Sequence, residues 1–351
     1  MRSISFAPAP GISRSKFRPA RAGLKRTSTF PMSKTMRAFF SCFTGANYSH
    51  FLVESPSMSD ALTLSPIPTG RARLAAYARF VKIEHALFSL PITFAGALLA
   101  QGGWPPWRLS LLVILAGVAA RTFAMAVNRI IDVQVDAKNP RTKDRELVTG
   151  ALSLWDALLV ASAGLVAYIW CAQSINSFCL LWCWVPLLFF VIYPTLKRFT
   201  WLCHFGLGLT WALAPLGGWF AVRPGFEGSW PAWILAAFSF FWLSGFDIIY
   251  GTLDEEFDRR EGLFSLPARF GRRRALRVSM ITHFVAFLCL AVLFFTSLRG
   301  ANAAFMCLGA GALLFVEQLV VDHVDLAFFK INVITGFVVL VMVVLGLRPE
   351  F

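Results

Sequence analysis

The chain is short of charge. Only 15% of its 351 residues are Asp, Glu, Lys or Arg, where a soluble globular domain carries roughly a quarter. Acids are the scarcer sign, 19 against 33 bases. With 57% apolar residues and a mean hydropathy of +0.64, this shortage excludes a soluble enzyme and a disordered regulator. Its 25 glycines are too few for a collagen-like rod. The seven cysteines include no C-x-x-C pair and no Cys/His ligand spacing, so neither a disulfide scaffold nor a zinc site is written in the sequence. Cys179 and Cys183 share a helix face as small packing residues. Nucleotide-binding loops of the P-loop and G-x-G-x-x-G types are absent, which leaves nucleotide-driven transport without support.

What is present is a positive charge of +14, and its placement decides its meaning. Residues 1–53 hold nine Lys and Arg and no acid, which leaves +5 for the remainder. This segment is rich in Ser, Pro and Ala and buries too little to offset chain entropy, so disorder is expected through residues 1–70. Two readings fit it. Its Arg- and Ser-rich, acid-free composition suits an organellar transit peptide. Alternatively the start lies too far upstream, since Met58 opens a serviceable N-terminus before the first apolar block. In neither case does the segment belong to the folded domain, which is expected over 71–351.

From residue 80 the chain runs in apolar blocks near 80–100, 109–131, 153–172, 177–196, 201–222, 230–250, 275–297, 300–321 and 329–347. Each has about the 20 residues a helix needs to cross a bilayer. The expected fold is all-α: a polytopic membrane protein, a bundle of nine transmembrane helices. Pro91, Pro186, Pro215, Gly217 and Gly218 fall inside the blocks, where transmembrane helices tolerate them. With the N-terminus on the cytoplasmic (or matrix) side, 18 Lys and Arg outside the basic tail flank the inner ends and 4 the outer ends. That bias fixes the orientation. It also assigns the positive charge to a lipid bilayer surface rather than to nucleic acid.

The few acids are placed differently. After the second block comes Asn128-Arg-Ile-Ile-Asp132-Val-Gln-Val-Asp136. Positions four apart drift by only about 40° around a helix, so these three side chains share one face, with Arg121 deeper on the same face. After the sixth block comes Asp247-Ile-Ile-Tyr250-Gly-Thr-Leu-Asp254-Glu-Glu-Phe-Asp258, where Asp247, Asp254 and Asp258 again share a face. Both ladders leave the same side of the membrane and run directly into basic loops, Lys138 to Arg145 and Arg259 to Arg274. A single acidic run at a helix end is commonly just a solvated interface. Two in matching places, each with a charged residue deeper in its span, point to a site.

The chemistry that suits paired carboxylate ladders is the binding of a diphosphate through divalent cations. Hard carboxylate oxygens hold Mg2+, which takes its remaining ligands from water and phosphate. Nearby Arg and Lys neutralise charge on a departing diphosphate. A long apolar tail on that group would lie among the helices. A secondary transporter using intramembrane Asp and Arg is the rival from another class, but its carboxylates would sit at the midplane rather than at one end.

These residues resemble the UbiA superfamily of intramembrane aromatic prenyltransferases. Asn128 through Arg145 is similar to its first Asp-rich signature, Asp247 through Gly271 to its second, and Tyr193-Pro-Thr-Leu-Lys197 to its Y-x-x-x-K element. The resemblance covers residues 75–347 and implies nine helices around a central cavity open to the cytoplasmic or matrix side. It implies that Asn128, Asp132, Asp136, Asp254 and Asp258 bind Mg2+ and through it a polyprenyl diphosphate. Arg141, Arg145 and Lys197 would contact phosphate, and Tyr193 would shape the site. Asp247 would act on an aromatic acid acceptor and Arg121 would meet its carboxylate. Arg129 departs from the family pattern, in which many members carry a second acid directly after the Asn. Lys82-Ile-Glu-His85-Ala-Leu-Phe-Ser-Leu-Pro91 looks like the 4-hydroxybenzoate polyprenyltransferase branch, which implies quinone (ubiquinone or menaquinone) biosynthesis, with a dihydroxynaphthoate as the alternative acceptor. The implied location is a bacterial inner membrane, or a mitochondrial one if residues 1–53 are a transit peptide. The histidines His204 and His283 read as satisfied core residues. Glu84 and His85 read as cavity-lining or interfacial, and Asp322, His323 and Asp325 as a solvated inner loop.

Overall fold

The computed structural model describes residues 70–82, 86–322 and 330–347. The basic N-terminal segment, Glu84, His85, His323, Asp325 and Arg348 lie outside the described residues. Among the described residues, every regular element is helical. Among them seven helices are long and apolar enough to cross a membrane, against nine expected spans, and two shorter apolar helices, Ser89–Gln101 and Asn332–Gly346, lie where the first and last spans are expected.

The first span is where structure and sequence part. Instead of one helix near 80–100 there are two, α1 (Arg71–Val81) and α2 (Ala86–Gln101). Lys82 ends α1 in the left-handed region at φ 47, where its N–H closes onto Ala78 and Arg79. The reason is polarity: α1 carries Arg71, Arg73 and Arg79 and buries only Ala76 and Phe80, so it is a surface helix rather than a span. Arg73 and Tyr77 reach Asp156, at 2.8 and 2.7 Å. Asp156 also closes a capping box with Ser153 at the start of α5 (Leu154–Ile175). One carboxylate thus caps a span and anchors the helix beside it.

Between them runs α3 (Trp107–Lys138), whose 32 residues make about 48 Å of helix. A hydrocarbon core needs only about 30 Å, so its last turns, with Asp132 and Asp136, project toward the headgroups. A four-residue helix α4 (Glu146–Thr149) follows in the loop. Next come α6 (Ser177–Trp182) and α7 (Trp184–Leu196), which together make one span, and α8 (Cys203–Val222). α9 (Trp230–Gly251) passes through a short 3-10 turn, Thr252–Asp254, into α10 (Glu255–Glu261). The chain closes with α11 (Leu266–Phe270), α12 (Arg272–Ser297), α13 (Ala301–Leu319) and α14 (Asn332–Gly346).

Lipid offers no hydrophobic drive for helices to associate, so close packing has to supply it. At the α2–α8 crossing a Cβ on Gly96 would stand 2.0 Å from the Pro215 carbonyl oxygen, and one on Gly218 would stand 1.8 Å from that of Thr93. Backbone meets backbone there, and only glycine fits. A dense core fills the space between α2, α8, α9, α12, α13 and α14, with Trp242 stacked on Phe238 at 5.2 Å. Several of its buried polar groups are joined: Trp242 donates to Asn332 (2.7 Å), which donates to Glu317 (3.0 Å). His283 contacts the Trp242 carbonyl at 3.2 Å and Gln318 at 2.8 Å, as a satisfied core histidine should. Outward, Leu159, Trp170, Phe284 and Phe295 are exposed, the inverse of a soluble surface and the mark of an integral membrane protein.

Candidate active site

On the other side of α8 and α9, facing α3, α5 and α7, lies a cavity of about 730 Å³. Its wall changes character along its length. At one end, aromatic residues close on one another: Phe178, Phe220 and Phe226 pack with ring centroids 5.0–5.4 Å apart, Trp182 beside them. At the other end the two carboxylate ladders face one another from α3 and from α9–α10.

All eleven residues singled out from the sequence line this one cavity: Asn128, Asp132 and Asp136; Asp254 and Asp258; Arg141, Arg145 and Lys197; Tyr193, Asp247 and Arg121. The helical offsets keep each ladder on one face because α3 runs on past the apolar core as continuous helix, while α9 continues through the 3-10 turn Thr252–Asp254 into α10. Arg121 stands deeper, its guanidinium 5.8 Å over the Trp211 ring.

The loop after α3 ties the two ladders together. Arg141 reaches across to α9, where it bonds both oxygens of Asp254 and the Tyr250 hydroxyl, and it lies 4.6 Å over the Tyr250 ring. Burial is the largest influence and works against its charge, but the hydrogen bond to Asp254 and the surrounding charges of Tyr250, Asp254 and Asp136 together hold the guanidinium above its ordinary pKa. Asn139 donates to the same carboxylate at 2.9 Å. Arg145 turns back onto Asp136 at 2.5 Å. From the end of α7, Lys197 (3.3 Å) and Arg198 (3.1 Å) hold Asp132, which also accepts from Asn128 at 3.4 Å. Asp258 and Ser265, the N-cap of α11, both line this end of the cavity.

Five residues here carried no distinctive sequence signal: Asn139, Tyr250, Ser265, Arg198 and His204. Arg198 was visible only as a second base beside Lys197. His204, expected as an ordinary core histidine, instead places Nδ1 2.7 Å from Asp247 in the cavity wall. Arg129 does not line the cavity. It is buried, with Nε and Nη1 unpartnered.

This donor set suits Mg2+. Among the described residues no three His, Cys, Asp or Glu side chains converge as a protein-only metal cage. Mg2+ does not ask for one, being held by one or two carboxylates with water and phosphate completing its shell. Charge argues the same way. Five carboxylates (Asp132, Asp136, Asp247, Asp254, Asp258) stand against Arg141, Arg145, Lys197 and Arg198. The end is close to balanced, so a multiply charged anion can enter only with cations of its own.

Comparison with known proteins agrees with this construction. The profile of the UbiA prenyltransferase family matches residues 89–328. A curated 4-hydroxybenzoate octaprenyltransferase of Francisella tularensis subsp. novicida is 30% identical over 227 residues, covering 64% of this chain and 78% of that protein. The protein of the same name from Shewanella denitrificans is 30% identical over 224 residues, covering 62% and 75%. Among solved structures, the apo form of a UbiA homolog from Aeropyrum pernix K1 is 31% identical, with a TM-score of 0.67 over 74% of this chain and 96% of that one. A UbiA homolog from Archaeoglobus fulgidus, solved with GPP and Mg2+, shares the fold at 19% identity and a TM-score of 0.56, covering 76% and 99%. The family profile takes in well over half of the sequence, and the chain belongs to the UbiA prenyltransferase family.

Proposed function

We propose that the protein transfers a polyprenyl group from a polyprenyl diphosphate to 4-hydroxybenzoate in quinone biosynthesis. The observation that carries this reading is the single cavity with two carboxylate ladders at its polar end and an aromatic interior within the spans. The names of the curated relatives support the acceptor. A volume of about 730 Å³ suits a diphosphate, a ring acceptor and the start of an isoprenoid. The rest of a long tail continues among the helices and lipid.

In this reading Asn128, Asp132, Asp136, Asp254 and Asp258 hold Mg2+, which when bound neutralises the diphosphate and favours its departure. Arg141, Arg145 and Lys197 exchange their carboxylate partners for phosphate oxygens as the substrate enters, and so follow the developing charge. Tyr193, within electrostatic reach of Asp132, Arg121 and Asp247, shapes the floor between donor and acceptor. Arg121 takes the acceptor carboxylate, which sets the phenol ring between itself and the diphosphate. The allylic C–O bond breaks, diphosphate leaves, and the ring carbon beside the phenol hydroxyl forms the new C–C bond. Asp247 accepts the ring proton. Apolar walls keep water from the allylic cation.

The folded domain in this reading is 71–351, with residues 1–70 a separate basic segment. The 18-to-4 charge bias and the bacterial relatives support a bacterial inner membrane with the carboxylate end facing the cytoplasm. Membranes carrying the protein should convert 4-hydroxybenzoate and a polyprenyl diphosphate into the prenylated acid only when Mg2+ is present. Product mass across an acceptor panel that includes a dihydroxynaphthoate reads acceptor and chain length together. Failure with every phenolic acid would overturn the reading.

A further inference from the structure

The contact between His204 and Asp247 belongs to no sequence motif, and its surroundings are built for it. His204 sits near the start of α8, only 4% exposed, with Nδ1 2.7 Å from Asp247 Oδ2. On the far side of the ring the Leu266 backbone N–H, at the start of α11, approaches Nε2 at 3.4 Å. The imidazole lies against α9 one turn beyond Asp247. There a Cβ on Gly251 would stand 2.7 Å from Cε1, so the absence of a side chain at 251 leaves the ring its place. Three elements therefore define one orientation of one ring.

We propose that His204 is a positioning residue for the acceptor-side base, fixing the rotamer of Asp247. This inference rests on the reading of Asp247 as the group that accepts the ring proton. A backbone N–H can only donate, so Nε2 is the accepting nitrogen and Nδ1 carries the proton that it donates to Asp247 Oδ2. One carboxylate oxygen is thereby pinned. The other remains for the proton released when the aromatic C–H bond breaks as the new C–C bond is made. The ring proton passes to the carboxylate, its bonding pair restores aromaticity, and no other reactant is needed. The imidazole takes no proton in this step. It holds the carboxylate in place and prevents Asp247 from swinging toward the cations of the diphosphate end.

The test uses the full-length protein in membranes, with initial rates measured against both substrates. His204→Phe removes the donor and should lower kcat by about 100-fold, the cost of a misplaced reacting group, leaving the KM for polyprenyl diphosphate unchanged. His204→Asn places an amide donor where Nδ1 stands and should recover most of the loss. Gly251→Ala keeps both functional groups but displaces the ring, and it should lower kcat in the same direction. In an Asp247→Asn background His204→Phe should cost nothing further, because its effect acts through the carboxylate. If His204→Phe does not accumulate, His204→Asn and Gly251→Ala decide the matter. Normal kcat in Gly251→Ala, no rescue by asparagine, or an undiminished cost in the Asp247→Asn background would each overturn the inference. Failure of the functional reading is distinguishable, since wild-type membranes would then form no product and the inference would fall with it.

Discussion

Arg141→Lys tests whether the site is built on geometry as well as charge. The guanidinium makes three directed contacts at once: two with the oxygens of Asp254 and one with the Tyr250 hydroxyl, while its plane lies over the Tyr250 ring. Lysine keeps the charge but offers a single point of donation. A charge-assisted hydrogen bond contributes about 1.5–3 kcal/mol, and removing a partner from a fully buried pair costs about 3–5 kcal/mol. Here the side chains are 30% and 16% exposed, so solvent screens the pair and the lower end applies. The expected loss is one good contact, about 1.5 kcal/mol, or roughly tenfold. Because Arg141 is assigned to the diphosphate, that loss should appear as a raised KM for the polyprenyl diphosphate, with kcat reduced less and the KM for the acceptor unchanged. The assay is product formation in detergent-solubilised protein at saturating Mg2+, with a thermal unfolding curve on each preparation. Arg141→Ala should be worse on both counts. Unchanged KM in Arg141→Lys would refute the bidentate role, and a fall in activity that merely tracks the unfolding temperature would reduce Arg141 to a structural brace.

Asp132→Asn and Asp254→Asn preserve side-chain shape. Each should abolish turnover at ordinary Mg2+ and shift the Mg2+ requirement upward, whereas retention of the wild-type Mg2+ curve in either would remove that residue from the ligand set. Gly218→Val places atoms inside the Thr93 carbonyl and should destabilise the α2–α8 crossing by at least about 1–3 kcal/mol, read as a lower unfolding temperature in detergent. Normal stability would mean the helices are free to part there. Cysteines introduced at Lys143 and Arg299 in a cysteine-free background should label from opposite sides of sealed vesicles. Labelling from the same side would contradict the orientation.

The ladders were legible because helical periodicity is a local property: Asn128, Asp132 and Asp136 share a face whatever surrounds them. The first span, expected near 80–100, was begun a few residues too early for a related reason. An apolar count from residue 80 ran on through Lys82, while the backbone at Lys82 turns left-handed and ends the surface helix. His204 is the satisfied, buried histidine expected, but its partner was not legible, because nothing local distinguishes a histidine bonded to a carbonyl, as His283 is, from one bonded to a carboxylate 43 residues along the chain.

Composition and periodicity alone determined that this is a helical membrane protein, that most loop cations gather at one set of helix ends, and which carboxylates share a helix face. Those follow from the cost of burying polar backbone and charge in hydrocarbon, a constraint every span must meet by itself. Only the tertiary structure decided which cation meets which carboxylate, that Arg141 bridges to α9 while Arg145 folds back to α3, and that His204 stands behind Asp247. Such pairings depend on helices far apart in sequence settling to within hydrogen-bond distance. Close approach of those helices rests on glycines at their crossings, Gly164 against Phe123 of α3 and Gly208 against Phe240 of α9, rather than on any pattern along the chain.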